Sequence, residues 1–184
     1  SVASRGLGDV YKRQGNRRFD NAQFRELRKA AESRQLSQAQ IDRSALECLE
    51  EIVELASNYV GNTLVQRFFE QCSEGVKTTL LERLAPHLAT IGTHKNGTWA
   101  AQKIIECAHT PEQQTLITHH LQPYVPALLL DQFGNYVVQR VIPFGFPSAD
   151  FILDAMVDQC WEIAQGRFGA RSMRACLENT AVPR

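Results

Sequence analysis

The chain has 184 residues, of which 43% are apolar and 22% charged, a balance that excludes a disordered polymer and is sufficient for a buried core. Its longest apolar run, Val125 to Leu130, is too short to cross a bilayer and contains Pro126. Twenty basic residues against twenty acidic ones give zero net charge, so no global positive field attracts a polyanionic partner.

The first 43 residues differ from the rest in charge and pattern. They carry ten Lys/Arg and five Asp/Glu, whereas residues 44–184 carry ten and fifteen. Residues 1–14 show no amphipathic period and resemble translated adapter DNA, and no methionine precedes Met156. We expect this segment to be non-native and exclude it from the fold. Residues 15–43 are predicted to be a basic linker with a helix, between Asn16 and Gln35, that belongs to a preceding repeat.

Residues 44–184 contain one ten-residue pattern four times, beginning at Gly61, Gly97, Gly134 and Gly169. The copies read GNTLVQRFFE, GTWAAQKIIE, GNYVVQRVIP and GARSMRACLE, and the glycines are 36, 37 and 35 residues apart. A period of this length is typical of helical solenoids. The pattern divides the array into four units, which we place at residues 44–73, 74–109, 110–145 and 146–184.

Each unit is predicted to contain three helices. Ser44 followed by Glu47 predicts a capping box that opens the first helix, and an apolar helical period precedes each later glycine after a polar or proline-containing break. No window alternates as a strand does. The fold class is therefore an all-α solenoid of about four three-helix repeats. Because no capping element follows the fourth unit, we expect a truncated piece of a longer array.

A polar pair recurs at one phase of the first three units. Its two members are four residues apart and therefore share one face of a helix, where we expect them to point outward: Asn62 with Gln66, Thr98 with Gln102, and Asn135 with Gln139. A cation follows each glutamine, at Arg67, Lys103 and Arg140, and supplies local positive charge for a polyanion. Ordinary surface polarity has no reason to repeat in register, so the pairs indicate a function.

Three segments carry a specific resemblance. DQFGNYVVQRVI (131–142) resembles the RNA-reading helix of a Pumilio repeat, and NYVGNTLVQRFFE (58–70) resembles a second copy. HKNGTWAAQKII (94–105) is similar to the divergent repeats of a fungal subgroup of that family. The resemblance covers about residues 44–179 and implies an arched stack whose concave helices bind single-stranded RNA, one base per repeat. It also implies recognition of mRNA 3′ untranslated regions in post-transcriptional regulation.

The resemblance implies a role for each of these side chains. The three polar pairs would read base edges, since amides both donate and accept and can match a uracil edge. The residue after the first member of each pair would stack on bases, which places stacking at Thr63, Trp99, Tyr136 and Arg171. Because Pumilio arrays run antiparallel to RNA, the implied core is 5′-UAU-3′, read by units three, two and one.

Two units depart from the family pattern. Thr63 is a poor stacking residue, which weakens the expected grip of the first unit. In the fourth unit Ala170 and Arg174 replace the edge pair, so we expect this unit to stack through Arg171 and to touch phosphate through Arg174.

Other functions find little support in the sequence. Five widely spaced cysteines without a CxxC pair predict reduced thiols, and neither a disulfide framework nor a zinc site. No nucleotide-binding, metalloprotease or nucleophile–base pattern occurs, so we expect no enzyme, cofactor, metal or small-molecule substrate. We expect a cytoplasmic protein with effector proteins on its convex face. The alternative is a HEAT- or armadillo-like scaffold that binds protein, which explains the period but not the polar pairs.

Overall fold

The computed structural model describes residues 21–179, and these residues form helices without any strand. The predicted segment 1–14 lies outside them. The α-helices are α1 (Asn21–Glu32), α2 (Gln38–Glu47), α3 (Ile52–Ser57), α4 (Gly61–Gln71), α5 (Glu74–Leu84), α6 (Leu88–Thr93), α7 (Gly97–Glu106), α8 (Pro111–Leu121), α9 (Val125–Leu130), α10 (Gly134–Val141), α11 (Asp150–Asp158), α12 (Cys160–Gln165) and α13 (Gly169–Asn179). No helix within this range is long and apolar enough to cross a membrane.

Four helices begin at the four predicted glycines, which confirms the period as a structural unit. We call α4, α7, α10 and α13 the Gly-initiated helices. Each is preceded by a short helix and, before that, by a longer one, so every unit contains three helices. The helix predicted before the array is also present as α1.

The predicted capping box at Ser44 is wrong. Ser44 lies inside α2, whose N-cap is Ser37. The Ser37 hydroxyl accepts from the backbone N–H of Gln40 at 3.3 Å, and the Gln40 side chain accepts from the Ser37 N–H at 2.8 Å. This reciprocal pair satisfies N–H groups at the helix start, so the boundary that we placed at residue 44 falls within a helix. Thr110 and Gln113 form the same box at α8.

Equivalent helices of successive units pack against one another. α1 contacts α4, α4 contacts α7, α7 contacts α10 and α10 contacts α13, which gives one continuous layer. The short helices α3, α6, α9 and α12 each pack against the following Gly-initiated helix. A single apolar core runs between the layers through residues such as Leu55, Phe68, Leu88 and Ile104. The architecture is an all-α solenoid.

The glycines recur because two helices approach closely at each of them. A Cβ at Gly61 would lie 2.7 Å from the carbonyl oxygen of Leu55, and one at Gly134 would lie 3.1 Å from that of Leu128. At Gly97 and Gly169 the obstructing carbonyl again belongs to the residue six positions earlier. Only a residue without a side chain fits between the short helix and the start of the Gly-initiated helix.

Candidate nucleic-acid interface

A side chain three residues before each of the first three glycines holds the start of the Gly-initiated helix. Oδ1 of Asn58 accepts from the N–H groups of Val60 and Gly61 at 2.8 and 2.9 Å. Asp131 makes the equivalent pair of hydrogen bonds in α10, and Nδ1 of His94 does so in α7. These bonds satisfy N–H groups that the helix leaves free. In α4 and α10 the carbonyls of the preceding loop also accept from the asparagine side chain that follows the glycine.

The first amide pair is anchored to that loop. Nδ2 of Asn62 donates to the carbonyls of Asn58 and Tyr59 at 2.8 and 3.0 Å. Nε2 of Gln66 then donates to Oδ1 of Asn62 at 3.2 Å. The prediction that the two amides lie side by side is confirmed. The prediction that Asn62 points outward is wrong, because its side chain is buried by these bonds, with 7% exposed.

The third unit repeats this arrangement. Nδ2 of Asn135 donates to the carbonyls of Asp131 and Gln132 at 2.8 and 3.1 Å, and Nε2 of Gln139 donates to Oδ1 of Asn135 at 3.1 Å. Asn135 is buried and does not point outward. Gln66 and Gln139 are half-buried, and the Oε1 atom of each accepts from no residue within 21–179. With respect to the described residues, each glutamine therefore has an unused acceptor and one unused N–H.

In the second pair, both the amide nitrogen and the amide oxygen of the glutamine are hydrogen-bonded within the protein. Nε2 of Gln102 donates to Oγ1 of Thr98 at 3.1 Å, and that hydroxyl lies 3.5 Å from the carbonyl of Phe133. Oε1 of Gln102 accepts from Nε of Arg140 at 3.3 Å. Thr98 and Gln102 are 2% and 6% exposed. The prediction that they point outward is therefore wrong, because helix α10 covers them.

The candidate stacking residues behave differently from the amides. Trp99 is 61% exposed and Tyr136 is 42% exposed, as predicted from their position beside the polar pair. Thr63 is half-buried, whereas Arg171 is exposed. Large exposed aromatic side chains are uncommon on a helix that packs in a core. Their aromatic faces are therefore available for a flat ligand.

Tyr59 is a candidate that the sequence reasoning missed. Its side chain is 80% exposed in the loop before α4, two residues before Gly61. Lys95, Gln132 and Arg167 occupy the same place in the other units and are also exposed. Because that position holds four different residue types, the repeat pattern gave no signal for it.

The cations that follow the glutamines are not free. Arg67 pairs with Glu70, Lys103 lies 3.3 Å from Glu70 and 3.2 Å from Glu106, and Arg140 lies 3.2 Å from Glu106. These five residues form an ion-pair ladder across α4, α7 and α10. Burial alone would lower the pKa of Lys103, but its hydrogen bonds and charge attraction to Glu106 and Glu70 outweigh burial and raise that pKa.

The ladder changes the predicted source of positive charge. The sequence indicated Arg67, Lys103 and Arg140 as local charge for a polyanion, yet two carboxylates neutralise most of it. In the fourth unit, Ala170, Arg171 and Arg174 are exposed. The two arginines form no ion pair with the described residues. The uncompensated cations of the Gly-initiated helices therefore lie at α13.

The described part of the chain offers little for other chemistry. No group of three His, Cys, Asp or Glu side chains within residues 21–179 is placed to hold a metal ion. All five cysteines are free thiols.

Comparison with known proteins identifies the repeat. The Pumilio-family RNA binding repeat matches residues 51–85, 87–121 and 124–148, together just over half of the chain. A Pumilio domain-containing protein of Schizosaccharomyces pombe is 49% identical over 176 residues, which are 96% of this chain and 16% of that protein. The mRNA-binding protein PUF2 of Saccharomyces cerevisiae is 42% identical over 89% of this chain and 15% of its own length.

Solved structures agree with this assignment. The PUM-HD domain of S. pombe Puf1 in complex with RNA superimposes with a TM-score of 0.85 at 51% identity, over 87% of this chain and 43% of that one. The Puf4 RNA binding domain bound to an RNA 3′ UTR recognition sequence gives a TM-score of 0.79 at 31% identity, over 86% and 49%. The chain thus spans less than half of the solved domains and about a sixth of the two curated relatives.

Proposed function

Because the chain belongs to the Pumilio family of RNA-binding repeats, we propose that it binds single-stranded RNA through the exposed face of its Gly-initiated helices. The observation that carries the proposal is the repetition, on the adjacent helices α4, α7 and α10, of a hydrogen-bonded glutamine amide, with an exposed aromatic side chain beside it on α7 and α10. Single strands are required because only unpaired bases present both an edge and a face.

The geometry supports different roles for the two amide side chains of the first and third units. Gln66 and Gln139 would contact base edges, since each has a free acceptor and a free N–H. Asn62 and Asn135 would hold these glutamines in position, because their own donors are used by loop carbonyls. A glutamine fixed in this way loses less rotamer freedom on binding than a free one.

The remaining contacts would be made with the faces of the bases and with the phosphates of the RNA. Trp99 and Tyr136 would stack on successive bases, with Thr63 contributing little. Arg171 would stack and Arg174 would contact phosphate in the fourth unit, where positive charge is uncompensated. We place the target in mRNA 3′ untranslated regions and the role in cytoplasmic post-transcriptional regulation. Support comes from relatives described as mRNA-binding or bound to such sequences.

The proposal describes a binding module and not an enzyme, which the description of the matching family supports. Effector proteins would bind the opposite face, formed by α2, α5, α8 and α11. Between α5 and α8 lies a groove whose lining includes Leu116 and Pro111 together with Glu82 and Glu112. A scaffold that binds only protein would leave the amides and aromatics of the first face without a role.

A titration of fluorescein-labelled RNA followed by anisotropy tests the function. Four units at about 2 kcal/mol each give a gross binding energy of ~8 kcal/mol, which corresponds to roughly micromolar affinity. We expect such binding for single strands that contain 5′-UAU-3′ and weaker binding for a scrambled strand of the same composition. A duplex that binds as tightly as the single strand would contradict the proposal, as would nanomolar binding that ignores sequence.

A further inference from the structure

Arg140 connects the second polar pair to the third unit. Its Nε donates to Oε1 of Gln102 at 3.3 Å, and its guanidinium lies 3.2 Å from Oε1 of Glu106. We propose that Arg140 determines specificity by closing Gln102, so that the base opposite the second unit is held by stacking on Trp99 without discrimination between bases. This inference rests on the proposed function.

The direction of the hydrogen bonds fixes the orientation of the Gln102 amide. An arginine Nε–H can only donate, so the amide atom that faces Arg140 must be the oxygen. The amide nitrogen then faces Thr98, whose hydroxyl is directed to the carbonyl of Phe133. Gln102 therefore has its acceptor and one of its two donors engaged in the free protein. With 6% of its surface exposed, it offers a base edge almost nothing.

The first unit contains an open glutamine, by which we mean one whose side-chain oxygen accepts no hydrogen bond from the described residues. Lys103 occupies the place of Arg140, six residues after its glycine. A lysine has no Nε–H, and Nζ of Lys103 is shared between Glu70 and Glu106. Oε1 of Gln66 consequently accepts from no described residue. The Lys-to-Arg difference at this position therefore accompanies the change from an open to a closed glutamine acceptor.

Gln139 of the third unit is also an open glutamine, but for another reason. The position equivalent to Arg140 in the fourth unit is Ala175, which has no donor on its side chain. Oε1 of Gln139 is therefore also free of described partners. The specificity of each unit depends in this way on a residue of the next unit along the chain.

Reciprocal substitutions of the two cations test the proposal in the full chain. Arg140→Lys keeps the charge beside Glu106 but removes the Nε donor, which opens Gln102. Lys103→Arg adds an Nε donor beside Gln66 and closes it. The probes are single-stranded ten-nucleotide RNAs with a U-N-U core in cytidine flanks, where N is each of the four bases. A second set varies the base opposite the first unit, and both sets are titrated by anisotropy.

The wild-type protein should bind the four middle-base RNAs within about threefold of one another, while discriminating about tenfold at the base opposite the first unit. Arg140→Lys should raise middle-base discrimination to about tenfold and leave the flanking preference unchanged. Lys103→Arg should reduce discrimination opposite the first unit to about threefold. The proposal requires both changes. A merely structural role for Arg140 would lower affinity for all RNAs equally and would not create selectivity.

A double substitution identifies the side chain that contacts the middle base in the Arg140→Lys protein. Gln102→Met added to Arg140→Lys should abolish the new discrimination, because it removes the amide that Arg140 had covered. Wild-type protein that already discriminates tenfold at the middle base overturns the inference, as does an Arg140→Lys protein that gains nothing. In both cases RNA binding and flanking selectivity persist. Failure of every form to bind RNA above the scrambled control overturns the proposed function itself.

Discussion

Replacement of Gly61 by alanine tests the packing that sets the repeat period. The added methyl would lie 2.7 Å from both the carbonyl oxygen and Cδ2 of Leu55, and 3.1 Å from its Cα. Leu55 is fully buried in α3, and its carbonyl accepts the N–H of Asn58 at the end of that helix. Neither the backbone nor the enclosed side chain can move aside freely, so α3 and α4 must separate.

The expected cost follows from two opposing effects. Inserting a methyl into a filled interface costs about 1–3 kcal/mol, whereas alanine is a better helix former than glycine by about 0.5–1 kcal/mol. The two ranges leave a net loss of unfolding free energy of about 0–2.5 kcal/mol, with a central value of about 1 kcal/mol. For a chain of this size a loss of about 1 kcal/mol lowers the melting temperature by roughly 2–4 °C. Urea denaturation and thermal melting followed by circular dichroism measure it.

Gly75 provides the matched control. It lies in the first turn of α5, and a Cβ there would meet nothing within 4 Å. Gly75→Ala should therefore be neutral or raise stability by about 0.5–1 kcal/mol. If the two alanine variants shift stability in the same direction and by similar amounts, helix propensity governs both positions. The argument from close approach at Gly61 would then be refuted.

Three further outcomes are expected. Tyr136→Ala should weaken RNA binding by about 1–3 kcal/mol in the anisotropy titration with an unchanged circular dichroism spectrum, because this ring is exposed; loss of helix would show that it packs in the core. Burial would raise the pKa of Asp42, but hydrogen bonds from Ser73 and Gln38 outweigh it and hold that pKa below the ordinary value of 3.8. The stabilisation that ionised Asp42 provides is present above pH 3.8 and is lost as pH falls through the lowered pKa. The urea midpoint of Asp42→Asn should therefore be lower than that of the wild type near neutral pH, and the two midpoints should become equal in acid. A gap that is independent of pH would contradict this. One thiol, that of the exposed Cys160, should react quickly with a disulfide reagent at mildly alkaline pH, and Cys160→Ser should remove that reaction. The buried thiols should react only after denaturation, since burial raises the pKa of Cys48 and Cys176 to about 11 and that of Cys72 to about 12. The half-buried Cys107, whose pKa burial also raises, should react more slowly than Cys160.

The repeat period was predictable because one local constraint produces it. Each glycine meets the carbonyl six residues earlier, so the same residue type must return whenever the same two helices meet. The period therefore also predicted that helices start at the four glycines. The start of α2 could not be predicted in this way, because Ser37 with Gln40 and Ser44 with Glu47 have the same spacing in the sequence. Only the structure shows that Ser44 comes after the helix has already begun.

The candidate site was predictable in its helical spacing but not in its contacts across units. Spacing of four residues correctly placed Gln66 against Asn62. It could not show that Asn62 turns back to the loop carbonyls, because that depends on the loop conformation that Asn58 holds. Nor could it pair Arg140 with Gln102, whose separation of 38 residues is bridged only when neighbouring units pack.

The charge distribution decides which interactions must supply the affinity. Residues 44–184 carry five more acidic than basic residues, and the ladder commits three of the basic ones to Glu70 and Glu106. Few cations of the Gly-initiated helices remain to release counterions from phosphate, so we expect electrostatic attraction to contribute little to the proposed RNA binding. Affinity must therefore come from base faces and base edges. Because those contacts form only with unpaired bases, we expect this face to prefer single-stranded RNA to a duplex.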